Sequence, residues 1–150
     1  MAAGFYQFFL IPRVNQVVFT EEGIEFVGKG ALLFDSIVNY FETQHHITNY
    51  SPSDKWSSFD DECYFSFDDG NNKFDLELNT GTKEERITEI SVITSLFKPH
   101  GNILKTIEIC SGICSQFDLI VWDMKLKRII DFNDFQDTKE IINKFNSYHK

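Results

Sequence analysis

The chain has 150 residues, 42% hydrophobic and 25% charged, with 14 basic residues against 23 acidic ones and a formal charge of −9. That length predicts one domain able to bury roughly 70% of its unfolded surface. Fifteen per cent aromatic content, including sixteen Phe, excludes a disordered chain, and no apolar run reaches the ~20 residues that span a bilayer.

The run 5–11, Phe-Tyr-Gln-Phe-Phe-Leu-Ile, is nearly all apolar and ends at Pro12. Its aromatic and branched residues predict a strand buried on both faces. Residues 16–19 and 24–27 read as two short strands around Glu21-Glu22-Gly23, and Gly28-Lys29-Gly30 reads as a turn. From Ala31 the period changes, with Leu33, Ile37, Tyr40 and Phe41 on one face of a helix that runs to residue 43 or 44. The polar stretch 45–62 reads as a long loop.

Residues 63–67 and 74–78 alternate and flank Asp68-Asp69-Gly70-Asn71-Asn72, which predicts a β-hairpin. Phe74, Leu76 and Leu78 point one way and Asp75 and Glu77 the other, so this sheet is expected to have a packed face and a wet acidic one. Thr80-Gly81-Thr82 separates the hairpin from a strand over 87–96, with Ile90, Val92 and Leu96 on one side. A second helix follows Pro99-His100-Gly101, with Asn102 as its N-cap and Ile103, Ile107, Cys110, Cys114 and Phe117 as its apolar stripe. Residues 119–122 read as a central strand and 128–132 as a shorter one. A helix over 137–148 turns Ile141, Ile142 and Phe145 inward. The sum is a single-domain α+β fold, a mostly antiparallel twisted sheet with about three helices packed on it.

Cys63, Cys110 and Cys114 are an odd number in a chain with its own core, which argues against a secreted disulfide framework and for a cytoplasmic protein. Residues 1–10 carry no basic residue before their apolar stretch and do not read as a signal peptide. Cys110 and Cys114, at i and i+4, read as small buried hydrophobes. His45-His46 reads as a helix end, because neighbouring helical residues point about 100° apart and rarely share one ion. The sequence contains no Gly-x-Ser-x-Gly, no P-loop and no His-Glu-x-x-His. No catalytic residue, metal ligand or cofactor is assigned. Asp75 and Glu77 share a strand face that a divalent metal of a hydrolase would use, but with Asp60, Asp61, Glu62, Asp68 and Asp69 nearby and no placed base they read as a solvated acidic edge.

Charge distribution says more than any motif. Residues 54–77 hold eight acidic and two basic side chains, a local charge of −6, whereas residues 124–150 carry +2. Direct nucleic-acid binding is not expected, because it relies on basic residues that neutralise phosphates. The acidic segment also carries Trp56, Phe59 and Tyr64. Rings among carboxylates suit a protein interface, where aromatics anchor and charges steer. Trp56, Phe59, Asp60, Asp61, Glu62, Asp68, Asp69, Asp75 and Glu77 are the residues assigned to partner binding.

Residues 87–131 run from a strand through Lys98-Pro99-His100 and an amphipathic helix to Leu119-Ile120-Val121-Trp122-Asp123 and Lys127-Arg128-Ile129-Ile130. This stretch, about a third of the chain, resembles the C-terminal half of small immunity proteins from bacterial contact-dependent inhibition and polymorphic toxin systems. There a comparable helix leads to a strand ending in Asp and a short following strand. The resemblance implies binding to the C-terminal toxin domain of a cognate effector. Many such toxins are basic nucleases, and an acidic inhibitor would cover the cationic cleft. The alternative is a non-catalytic adaptor that adds a strand to a sheet edge.

Overall fold

In the computed structural model, which describes residues 4–49, 63–79, 86–96 and 101–148, the first apolar run forms strand β1 (Phe5–Pro12). It is followed by β2 (Gln16–Thr20), β3 (Gly23–Val27), β4 (Leu32–Leu33), α1 (Phe34–Thr43), β5 (Ile47–Asn49), β6 (Tyr64–Asp68) and β7 (Lys73–Leu78). The later described residues form β8 (Arg86–Ile87), β9 (Ile90–Ser95), α2 (Gly101–Phe117), β10 (Leu119–Asp123), β11 (Arg128–Ile130) and α3 (Phe135–Asn146). Seven strands make one sheet in the order β11-β10-β1-β9-β7-β6-β5, each pair antiparallel. With three helices among the described residues this is an α+β architecture.

Strand alternation divides the sheet into two faces. Tyr6, Phe8, Leu10, Val92, Leu76 and Phe65 point to the first face and are buried. The helices cover it. Phe41 of α1 meets Phe65 edge-on at 4.9 Å, and Phe145 of α3 lies 6.3 Å from Tyr6. Helix α2 touches β7, β9, β10 and α3. Phe8, Phe34, Phe41, Phe65, Phe67, Phe74, Phe132 and Phe145 are all buried, so half of the sixteen phenylalanines lie in the core. Each such side chain contributes about 1.5–3 kcal/mol of burial free energy.

The second face is covered over β1 and β10 by the β2–β3 hairpin, with Phe26 against Phe9 at 5.2 Å and Phe19 against Trp122 at 5.6 Å. That packing is why β1 is apolar on both sides. Gly28-Lys29-Gly30 is the turn expected there, and its glycines have a steric cause. The Asn15 side chain donates to the Gly30 carbonyl and accepts from the Gly30 N–H, both at 2.8 Å. A Cβ at Gly28, whose φ is +149°, would lie 2.2 Å from Asn15 Oδ1.

Several expected boundaries shift. Helix α1 starts at Phe34 rather than Ala31, because Leu32 and Leu33 are extended and pair with Ile87 and Arg86. The expected loop 45–62 begins with a sheet strand, β5, whose Ile47 is buried opposite Phe67. The expected strand 87–96 is two strands, broken where Asn79 Oδ1 accepts the N–H groups of Thr88 and Glu89. Helix α2 begins at Gly101, so Asn102 lies inside it rather than before it. Its most deeply buried line is Ile103, Thr106, Cys110 and Ile113, with Ile107, Cys114 and Phe117 half-buried, a small rotation from the expected stripe.

Strand β10 is an interior strand, though second from the β11 edge rather than central. The short strand expected over 128–132 ends at Ile130. Helix α3 starts at Phe135, two residues early, because Asp134 is its N-cap and accepts the Asp137 N–H at 3.0 Å. Ile141 and Phe145 are buried and Ile142 half-buried.

Candidate protein-binding surface

Of the acidic segment 54–77, the described residues form the β6–β7 hairpin. Between residues 63 and 78 four carboxylates face a single cation, Lys73. The tip is held by its own side chains. Asp69 Oδ1 accepts the N–H groups of Asn71 at 2.9 Å and Asn72 at 2.7 Å, and Asp68 Oδ1 accepts that of Gly70 at 2.9 Å. Donation from Asn72 and Asn71 holds the Asp69 carboxyl below its ordinary value, so the tip keeps its charge. The negative tip is thus part of how the turn closes.

Away from the tip, the second face of the sheet carries the cross-strand pairs Asp68–Lys73, Ser66–Asp75 and Tyr64–Glu77. Strand β9 continues that face with Ile93 opposite Asp75 and Ser91 opposite Glu77. Gln7 of β1 donates to Ser91 Oγ at 2.8 Å. The structure therefore brings Asp68, Asp75 and Glu77 onto one face, with Asp69 at its end.

The expectation of a wet acidic face is corrected here. Asp75 and Glu77 are half-buried, and burial raises both carboxyls above their ordinary values, Glu77 further through the neighbouring Asp75 charge. Like charges two residues apart on a strand share one side and repel. Among the described residues no group of three His, Cys, Asp or Glu side chains is placed to hold a metal ion. Trp56, Phe59, Asp60, Asp61 and Glu62 lie outside the described residues.

Among the described residues, His45 and His46 are exposed, whereas Cys110 and Cys114 belong to the packed core. His45 and His46 follow the end of α1, and the His46 ring meets Phe67 edge-on at 5.9 Å, with φ +72° at His46. Cys110 is fully buried, and burial pushes its thiol well up and that of Cys114 to about 12. Both are poor nucleophiles.

Strand addition at β11 meets a capped edge. Met124 N–H donates to the Gln7 carbonyl, so ladder alternation leaves Val121 and Asp123 to bond β11 and turns the backbone of Ile129 outward. Arg128 Nη1 donates to the Ile129 carbonyl at 3.2 Å, and the next outward N–H, at Asp131, donates to Asp137 Oδ2 at 2.8 Å. The same guanidinium pairs with Asp137 and Glu140 of α3. Sequence reading missed this cap, since only the sheet order shows that β11 is an edge.

No helix among the described residues is long and apolar enough to cross a membrane. No family model, curated protein or solved structure matches the chain.

Proposed function

We propose that this chain is an immunity protein that binds a basic toxin domain and covers its cationic substrate cleft with the acidic β6–β7 hairpin and the segment before it. The observation that carries the reading is the tip itself, where Asp68 and Asp69 are fixed by backbone donors and present negative charge at the end of a rigid hairpin. A rigid charged projection costs little ordering entropy on binding. The −6 charge over residues 54–77 extends the same field, and Trp56 and Phe59 supply rings to anchor it.

The mechanism is occlusion. Long-range attraction speeds encounter, a few buried anchors set the dissociation rate, and substrate is excluded from the covered cleft. No side chain of this chain needs to act on a substrate. The test is protection. Coexpression of this chain with a basic toxin domain that it captures from its native host should restore growth, and joint reversal of Asp60, Asp61 and Asp68 to Lys should abolish that rescue. Equal protection by the reversed variant overturns the assignment to this surface, and absence of protection by the native chain overturns the immunity reading.

A further inference from the structure

A second surface, independent of the acidic hairpin, lies where the tip of β2–β3 stands off the sheet. Val17, Phe19, Ile24 and Phe26 form the inner side of that hairpin, as cross-strand register requires. Phe26 is seated on Phe9, but Phe19 is 67% exposed although its ring reaches Trp122. Beneath it is an open slot of about 240 Å³, lined by Phe19, Gly23, Ile24, Trp122, Met124 and Lys127. Ile129, 41% exposed and directly opposite Trp122 on β11, extends the apolar ground. A large exposed ring over an unfilled apolar slot is an arrangement that folding alone does not favour.

The charges on its two sides are opposite. The hairpin turn carries Glu21 and Glu22, both exposed, and the facing β10–β11 turn carries exposed Lys127. None of the three takes part in an ion pair among the described residues. An apolar centre with acid on one side and base on the other is complementary to itself after a half-turn. That is the requirement for a two-fold interface, in which the same patch serves both subunits.

We infer that this chain forms a two-fold homodimer in which Phe19 of each copy enters the Trp122-lined slot of the other, with Glu21 and Glu22 facing Lys127 across the axis. The slot accepts a ring from outside because its floor is Ile24, Met124 and Trp122. The charges set the orientation, since a parallel arrangement places like charges together.

Sedimentation of the full chain over a wide concentration range tests this. The expected result is a reversible monomer–dimer equilibrium. Phe19→Asp should raise the dissociation constant by more than about tenfold, as for a central aromatic anchor. Lys127→Glu should weaken the dimer, and adding Glu21→Lys and Glu22→Lys to it should restore association. Circular dichroism confirms that each variant is folded, and Phe19→Ala replaces Phe19→Asp if that variant unfolds. A monomer at all concentrations overturns the inference. So does a dimer indifferent to Phe19 and Lys127, or an open-ended series of larger assemblies.

Discussion

The Tyr6 hydroxyl donates to Asp123 Oδ2 at 2.7 Å, with both side chains fully buried between β1 and β10. Asp123 Oδ1 accepts the N–H groups of Lys125 and Leu126, both at 2.8 Å, and so shapes the turn into β11. One carboxyl therefore joins the sheet's second and third strands and starts its edge strand. Burial raises both groups above their ordinary values, because the charged form of each loses water.

Removing these partners separately should give unequal losses. Asp123→Ala strands three donors, and each orphaned buried group costs about 1–3 kcal/mol, so the loss should exceed about 3 kcal/mol. Tyr6→Phe removes one charge-assisted bond and should cost about 1.5–3 kcal/mol. Urea unfolding measures both, and the double variant should lose less than the sum. A neutral Tyr6→Phe would show that the bond adds nothing.

Stability should fall as pH rises out of the acid range. Asp75, Glu77, Glu89 and Asp123 all have folded-state values above the ordinary ones, 3.8 for Asp and 4.5 for Glu. The folded chain then holds protons that the unfolded chain has released. Their contribution is fully present below the ordinary values and is lost as pH rises through the raised ones. Asp69 acts in the opposite direction. Glu77→Gln removes a desolvated charge that repels Asp75, so it should flatten the fall and raise stability at neutral pH. Superimposable unfolding midpoints across pH for the two proteins would contradict this.

The clamp at Gly28 makes a steric prediction. Gly28→Ala places a methyl group on Asn15 Oδ1 at a φ that side chains rarely adopt, and should cost about 1–3 kcal/mol. Asn15→Ala strands both polar groups of Gly30 and should cost a similar amount. Thermal unfolding of the double variant should show partial relief of the clash. Strict additivity would mean that the two residues are not coupled.

The α+β class, the order of the main elements and the hairpin at 68–72 are legible in the residues because period and turn chemistry act locally. The β2–β3 pair was equally readable, but its seat on Phe9 and Trp122 was not, since that depends on which face of β1 lies uncovered. Thr48 and Asn49, after the polar Gln44-His45-His46, conceal an edge strand that burial of Ile47 opposite Phe67 explains. Asp75 and Glu77 were identified by alternation, whereas their half-burial follows from the neighbouring strands. Lys98-Pro99-His100 lies outside the described residues.

Under the proposed function, the acidic hairpin steers a basic partner. The direct measurement is the association rate of this chain with a purified basic toxin domain captured from its native host, at low and at moderate salt. The expected rate falls steeply with added salt, and becomes slower and nearly salt-independent after joint reversal of Asp60, Asp61 and Asp68. An association rate unchanged by that reversal in low salt would contradict it.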